Sequence, residues 1–261
     1  MESSRTEGLN REVSFGDLVS LRPIPAVLSA IVAAEAVLVF VSIPVGVVMH
    51  GLLFAGLLIA ATGDKAAECP RCLGALSLVP LLRLLSFAVF GPTLPVAVWG
   101  VFSAVTFIIA TILMARALAI PAVELGWRRI PDVEVVLVTV TVAATTSAVA
   151  STVPGAFAPS LGGPVIPVFL ALSALGEELA FRGVLQSTIR EAYGRQAAIL
   201  LPQVPFAALY LGMYSGTFLM ATAILGLTLA WATEQSRSVV PAILGHIAFS
   251  LAIAFIWPLL R

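Results

Sequence analysis

The chain has 261 residues, 60% of them hydrophobic and 11% charged, and its formal net charge at pH 7 is zero. Charged residues make up about a quarter of an average soluble domain, so a water-soluble fold of this length would lack the polar surface to cover its core. A bilayer removes that difficulty, because its interior is itself apolar, and the neutral charge balance offers nothing to draw a nucleic acid.

The first 22 residues hold seven charges and no apolar run. They lack the short apolar core and small-residue cleavage site of a signal peptide, so residues 1–23 read as a short cytoplasmic arm. A bilayer span takes about 20 apolar residues. Apolar runs follow near 24–42, 45–62, 73–90, 96–115, 135–154, 165–189, 196–213, 217–233 and 240–260. Turn-formers separate them: Ile43-Pro-Val-Gly46, Gly91-Pro-Thr-Leu-Pro95 and the Gly/Pro/Ser-rich stretch at 154–164. The pattern predicts an all-α, polytopic transmembrane helical bundle of eight or nine spans. Residues 24–164 form its N-terminal helices and 165–260 a second, C-terminal set.

The charges orient it. With the N-terminus in the cytoplasm, the inner segments hold Arg5, Arg11, Arg22, Lys65, Arg71, Arg116, Arg128, Arg129, Arg190, Arg195 and Arg237, and the outer ones only Arg261. This asymmetry follows the positive-inside rule and predicts a multi-pass protein of the cell membrane. Cys69-Pro-Arg-Cys72 has no second pair or histidines near it. It reads as two ordinary thiols at a helix start, with a redox pair as the alternative.

Ionisable side chains inside a membrane need a reason, and here they are few: Glu35, His50, Arg83, Glu177, Glu178, Arg182 and His246. Glu35 and Arg83 sit at similar depth on the first and third spans, which predicts an ion pair. His50 falls near the outer face and reads as a wet or hydrogen-bonded residue.

The sixth span contains Gly176-Glu177-Glu178-Leu179-Ala180-Phe181-Arg182-Gly183. Adjacent carboxylates on a helix point about 100° apart, and Arg182, four residues on, can pair with Glu178. Glu177 is then left without a partner from its own helix. A carboxylate with no neighbouring cation is the better proton acceptor, which suits a general base. His246 lies on the ninth span with Ser250 one turn on, at a depth where it can meet Glu177. That convergence could activate a water, or it could be a buried Glu–His hydrogen bond that only locks helices together. The spacing alone leaves both open.

These residues resemble the CAAX protease and bacteriocin-processing (CPBP) family of intramembrane endopeptidases. Its first motif, two glutamates followed by x-x-x-Arg, matches Glu177 to Arg182. The second, Phe-x-x-x-His, is present as Phe206-Ala207-Ala208-Leu209-Tyr210, with Tyr in place of His. The third, His-x-x-x-Asn or a small polar residue, is present as His246-Ile247-Ala248-Phe249-Ser250. Glu124-Leu125-Gly126-Trp127-Arg128-Arg129 is similar to the short basic segment that often precedes the family core.

The resemblance implies a membrane cavity open to the cytosol, in which a peptide bond of a membrane-embedded or prenylated substrate is hydrolysed. It implies Glu177, Glu178, Arg182, Tyr210, His246 and Ser250 as site residues. Zinc is the cofactor that Glu177 and His246 could hold. A catalytic zinc usually takes three protein ligands, however, and neutral Tyr210 is a poor third. A glutamate-activated water fits better, since the Tyr hydroxyl can donate to a developing oxyanion. The alternative is an inactive pseudoprotease that binds a membrane protein partner as a scaffold or regulator.

Overall fold

The computed structural model describes residues 23–63, 69–88, 96–127, 130–152, 165–212 and 215–260. The expected arm (residues 1–22), Lys65, the turn at 91–95, Arg128 and Arg129, the stretch 154–164 and Arg261 lie outside the described residues. The described part is all-α: α1 (Pro23–Phe40), α2 (Ile43–Thr62), α3 (Pro70–Leu76), α4 (Leu78–Ala88), α5 (Val96–Ala117), α6 (Val133–Ser151), α7 (Val165–Glu178), α8 (Gln186–Leu200), α9 (Gln203–Ala208), α10 (Gly216–Ser236), α11 (Val240–Leu251) and α12 (Trp257–Leu259). A π-helical stretch, Leu179–Leu185, joins α7 to α8, and another, Ala252–Ile256, joins α11 to α12.

Local chemistry sets several of these ends. Pro44 and Pro241 sit in the first turns of α2 and α11, where a missing N–H leaves no bond unmade. The Ser215 side chain caps α10 by accepting from the Phe218 N–H at 3.3 Å. Cys69 caps α3. It is joined to Cys72 by a disulfide, which corrects the reading of this pair as two thiols.

Among the described residues, seven helices are long and apolar enough to cross a membrane: Pro23–Phe40, Ile43–Thr62, Pro70–Phe87, Val98–Ala117, Val133–Ser151, Gly216–Ser236 and Val240–Leu259. Their outward faces are apolar. Phe40, Leu52, Ile59, Phe102 and Met220 are each about two-thirds exposed or more, a surface that lipid accepts and water does not. The protein is a polytopic helical bundle and a multi-pass membrane protein.

Two expected runs differ from the other seven. The sixth is helical, but passes into the π-helical stretch directly after Glu178. The seventh, 196–213, is not one helix. Gly194 has a left-handed φ of 81° that kinks the chain inside α8, a conformation that glycine adopts without a Cβ clash. Pro202 and Pro205 then remove two backbone donors. The result is the six-residue α9 and turns over 209–212. An apolar composition suited to a span is here folded back into the protein.

The core has two main parts. One gathers α1, α3, α4, the first π-helical stretch and α9, including Ile31, Leu76, Phe181 and Phe206. The other gathers α6, α10 and α11, including Ala143, Phe218, Leu229 and Phe249. Tyr210, in the turn after α9, packs against both. Helix α7 lies between α5 and α11, and α9 lies between α1 and α10. The two glutamates of α7 therefore come to the seam between the two halves of the core.

Candidate active site

Glu177 and Glu178 end α7, and their side chains meet different surroundings. Glu178 is fully buried. Its Oε2 lies 3.2 Å from Arg182 Nε, so the pair expected from the i,i+4 spacing is present. Its Oε1 lies 2.7 Å from Nδ1 of His246, 68 positions away in the chain.

Arg182 is also fully buried, and its guanidinium acts as a hub. It donates to Gln203 Oε1 at 3.2 Å and to the Gly226 carbonyl at 3.0 Å, and it lies 4.2 Å over the Phe206 ring. A buried cation is tolerated when its donors and its charge are both answered in this way. Gly226 makes the approach of α10 possible. A Cβ there would fall 2.5 Å from Gln203 Oε1 and 2.8 Å from the Phe206 ring.

The Glu177 side chain is 14% exposed. Its Oε2 accepts the Tyr210 hydroxyl at 3.2 Å and lies 4.0 Å from His246 Nε2. The three residues implied by the motifs therefore converge, across spacings of 33 and 36 residues. Glu177 Oε1 accepts from Ser173 Oγ at 2.9 Å. This corrects the expectation that Glu177 has no partner on its own helix, because Ser173 is one turn earlier on α7. The contact was legible as an i,i−4 spacing, but a lone serine in an apolar run carries no signal of its own. Ser250 follows His246 by one turn, as expected, yet among the described residues it hydrogen-bonds none of Glu177, Glu178, Tyr210 or His246.

The His246 ring has two distinct faces. Nδ1 is held by the Glu178 carboxylate, which fixes the ring orientation and the tautomer. Nε2 faces Glu177 at a distance too long for a direct hydrogen bond and suited to a bridging water.

The Tyr210 ring belongs to a row of aromatic contacts. Centroid distances are 5.3 Å for Phe181–Phe206, 5.4 Å for Phe206–Tyr210, 6.1 Å for Tyr210–Phe218 and 6.4 Å for Phe218–Phe249. Edge-to-face and tilted pairs at such distances are favourable, so the phenol is wedged in place with its hydroxyl on Glu177.

A catalytic zinc usually takes three protein ligands. Glu177 and His246 offer one oxygen and one nitrogen, and the third group beside them is a phenol. Among the described residues no cluster of three His, Cys, Asp or Glu side chains could hold a metal ion.

A second buried cluster lies on the N-terminal helices. Glu35 Oε1 accepts from Arg83 Nε at 2.7 Å, as their depths predict. His50 is fully buried, with Nε2 3.5 Å from the same oxygen. Of the two readings of this residue, the wet one is corrected: α1 and α2 pack together and His50 is enclosed against Glu35.

With this geometry in view, residues 159–252 match the family model described as type II CAAX prenyl endopeptidase Rce1-like. The match begins just before α7, ends just after α11 and contains all six candidate residues. This match, over about a third of the chain, supports the likeness to the CAAX protease family that the motifs suggest. No curated protein and no solved structure matches the chain.

Proposed function

We propose that the protein is an intramembrane endopeptidase that hydrolyses a peptide bond of a membrane-embedded or prenylated substrate through a water activated by Glu177. The observation that carries this reading is the division of labour between the two glutamates. Glu178 is paired with Arg182 and bound to His246, whereas Glu177 has no arginine or lysine beside it among the described residues and turns Oε2 toward the Tyr210 hydroxyl and His246 Nε2.

In this mechanism one water occupies the space between Glu177 Oε2 and His246 Nε2. Glu177 takes its proton as the oxygen attacks the scissile carbonyl carbon. The carbonyl oxygen becomes an oxyanion, and the Tyr210 hydroxyl swings from Glu177 to donate to it. Glu177 then passes its proton to the leaving nitrogen as the C–N bond breaks. Glu178 keeps His246 oriented throughout, and Ser173 holds the second oxygen of Glu177. No step uses a metal. With the N-terminal arm in the cytoplasm, the site lies in the inner half of the cell membrane, within reach of the C-terminus of a lipid-anchored protein.

One observation favours the second reading, a pseudoprotease. Tyr210 is held by the aromatic row with its hydroxyl already on the proposed base, so the site could bind a peptide or membrane partner without cutting it. The deciding experiment uses purified protein in liposomes with a farnesylated CAAX peptide and an unmodified membrane peptide. Cleavage that withstands chelators and disappears in Glu177→Gln supports the hydrolase. Peptide binding without cleavage, retained in Glu177→Gln, supports the scaffold.

A further inference from the structure

Tyr210 stands in a turn, and a turn does not place a hydroxyl by itself. Helix α9 ends at Ala208, and the chain continues through short-range bonds, Tyr210 N–H to the Ala207 carbonyl and Leu211 N–H to the Ala208 carbonyl. The last carbonyls of a helix need partners from elsewhere. The Leu209 carbonyl, one residue before Tyr210, accepts from Nη2 of Arg83.

Arg83 comes from α4, outside the segment matched to the CAAX protease family. Its guanidinium is anchored at a second nitrogen, since Nε is bonded to the fully buried Glu35 of α1. His50 of α2 lies against the same Glu35 oxygen. The turn also presses on α1 directly, because a Cβ at Gly212 would come within 3.0 Å of Val39. The guanidinium, oriented by one carboxylate and planar, thus meets the backbone of the turn at a defined point.

We infer that Arg83 is a positioning residue for Tyr210: clamped by Glu35, it holds the Leu209 carbonyl so that the Tyr210 hydroxyl meets Glu177. The inference rests on the reading of Tyr210 and Glu177 as the working site. It assigns the N-terminal helices a part in that site beyond burying it. The ion pair between α1 and α4 then sets the geometry of a residue that the motif helices alone leave in a loop.

The chain has three tyrosines, Tyr193, Tyr210 and Tyr214, so 3-fluorotyrosine labelling gives three ¹⁹F resonances, each assigned by its own Tyr→Phe variant. The full chain is measured in nanodiscs, with Glu177→Ala marking where the Tyr210 signal moves when its acceptor is lost. Two variants are compared. Arg83→Met removes the donor but leaves Glu35 buried and unpaired. Glu35→Leu/Arg83→Met removes both charges and keeps the fold free of an orphan carboxylate.

The expected result is that the Tyr210 signal moves toward its Glu177→Ala position in both variants, while the Tyr193 signal stays in place. A Tyr210 signal that is unmoved in the double variant overturns the inference, and so does a common shift of all three signals, which marks general loosening. If Glu177→Ala itself leaves the Tyr210 signal in place, the Tyr210–Glu177 contact fails and the site reading falls with the inference. A responsive Glu177 with a silent Arg83 overturns the inference alone.

Discussion

His246 Nδ1 lies 2.7 Å from Glu178 Oε1, so the histidine of the third motif is bound to the second glutamate of the first motif and turns only its far nitrogen toward Glu177. Glu178 thereby serves two partners at once, Arg182 and His246, from a fully buried position. Replacing Glu178 with Ala leaves Arg182 as a buried cation without its counter-charge. The expected loss is about 3–5 kcal/mol of stability, read by unfolding in mixed micelles. Glu178→Ala/Arg182→Met should recover much of it, and equal instability of the single and double variants would show that the pair is not what the fold depends on.

Tyr210→Phe separates the ring from the hydroxyl. The aromatic row is kept, so stability should fall by only about 1 kcal/mol, the net worth of one hydrogen bond. If the hydroxyl donates to the oxyanion, kcat of peptide cleavage should fall by about 10²- to 10³-fold with KM little changed. Full turnover in Tyr210→Phe would remove the phenol from the mechanism.

Tyr210→His bears on the metal. An imidazole there would add a third donor to Glu177 and His246, within helices that already set their geometry. The wild type is expected to bind little zinc, and Tyr210→His to bind about one equivalent, measured by elemental analysis after dialysis. Any gained cleavage should vanish in Glu177→Gln. No zinc uptake by Tyr210→His would mean that the aromatic row keeps a smaller ring from reaching the site.

Gly226→Ala tests the packing behind Arg182. The added methyl would collide with Gln203 and the Phe206 ring, both of which contact the guanidinium. Overpacking of this kind destabilises by about 1–3 kcal/mol. Because Phe206 also touches the Tyr210 and His246 rings, cleavage should fall further than stability. An unaffected melting transition would show that α10 can shift away without loss.

The amino-acid sequence by itself determined what local spacing and solvent preference can express. Long apolar runs without charges must be helices in lipid, because only a helix satisfies its own backbone there. The i,i+4 spacing determined the Glu178–Arg182 pair, and similar depth on two spans determined that Glu35 and Arg83 could meet. The tertiary structure decided the rest. His246 could have faced either carboxylate; packing of α11 against α7 gave its Nδ1 to Glu178. The run at 196–213 was apolar enough to span, but a kink at Gly194 and two prolines folded it inward as α9 and a turn. Arg83 reached the Leu209 carbonyl across 126 positions of chain. Such contacts leave no periodic mark, because a hydrogen bond between distant segments constrains one atom of each partner and nothing in the residues beside them.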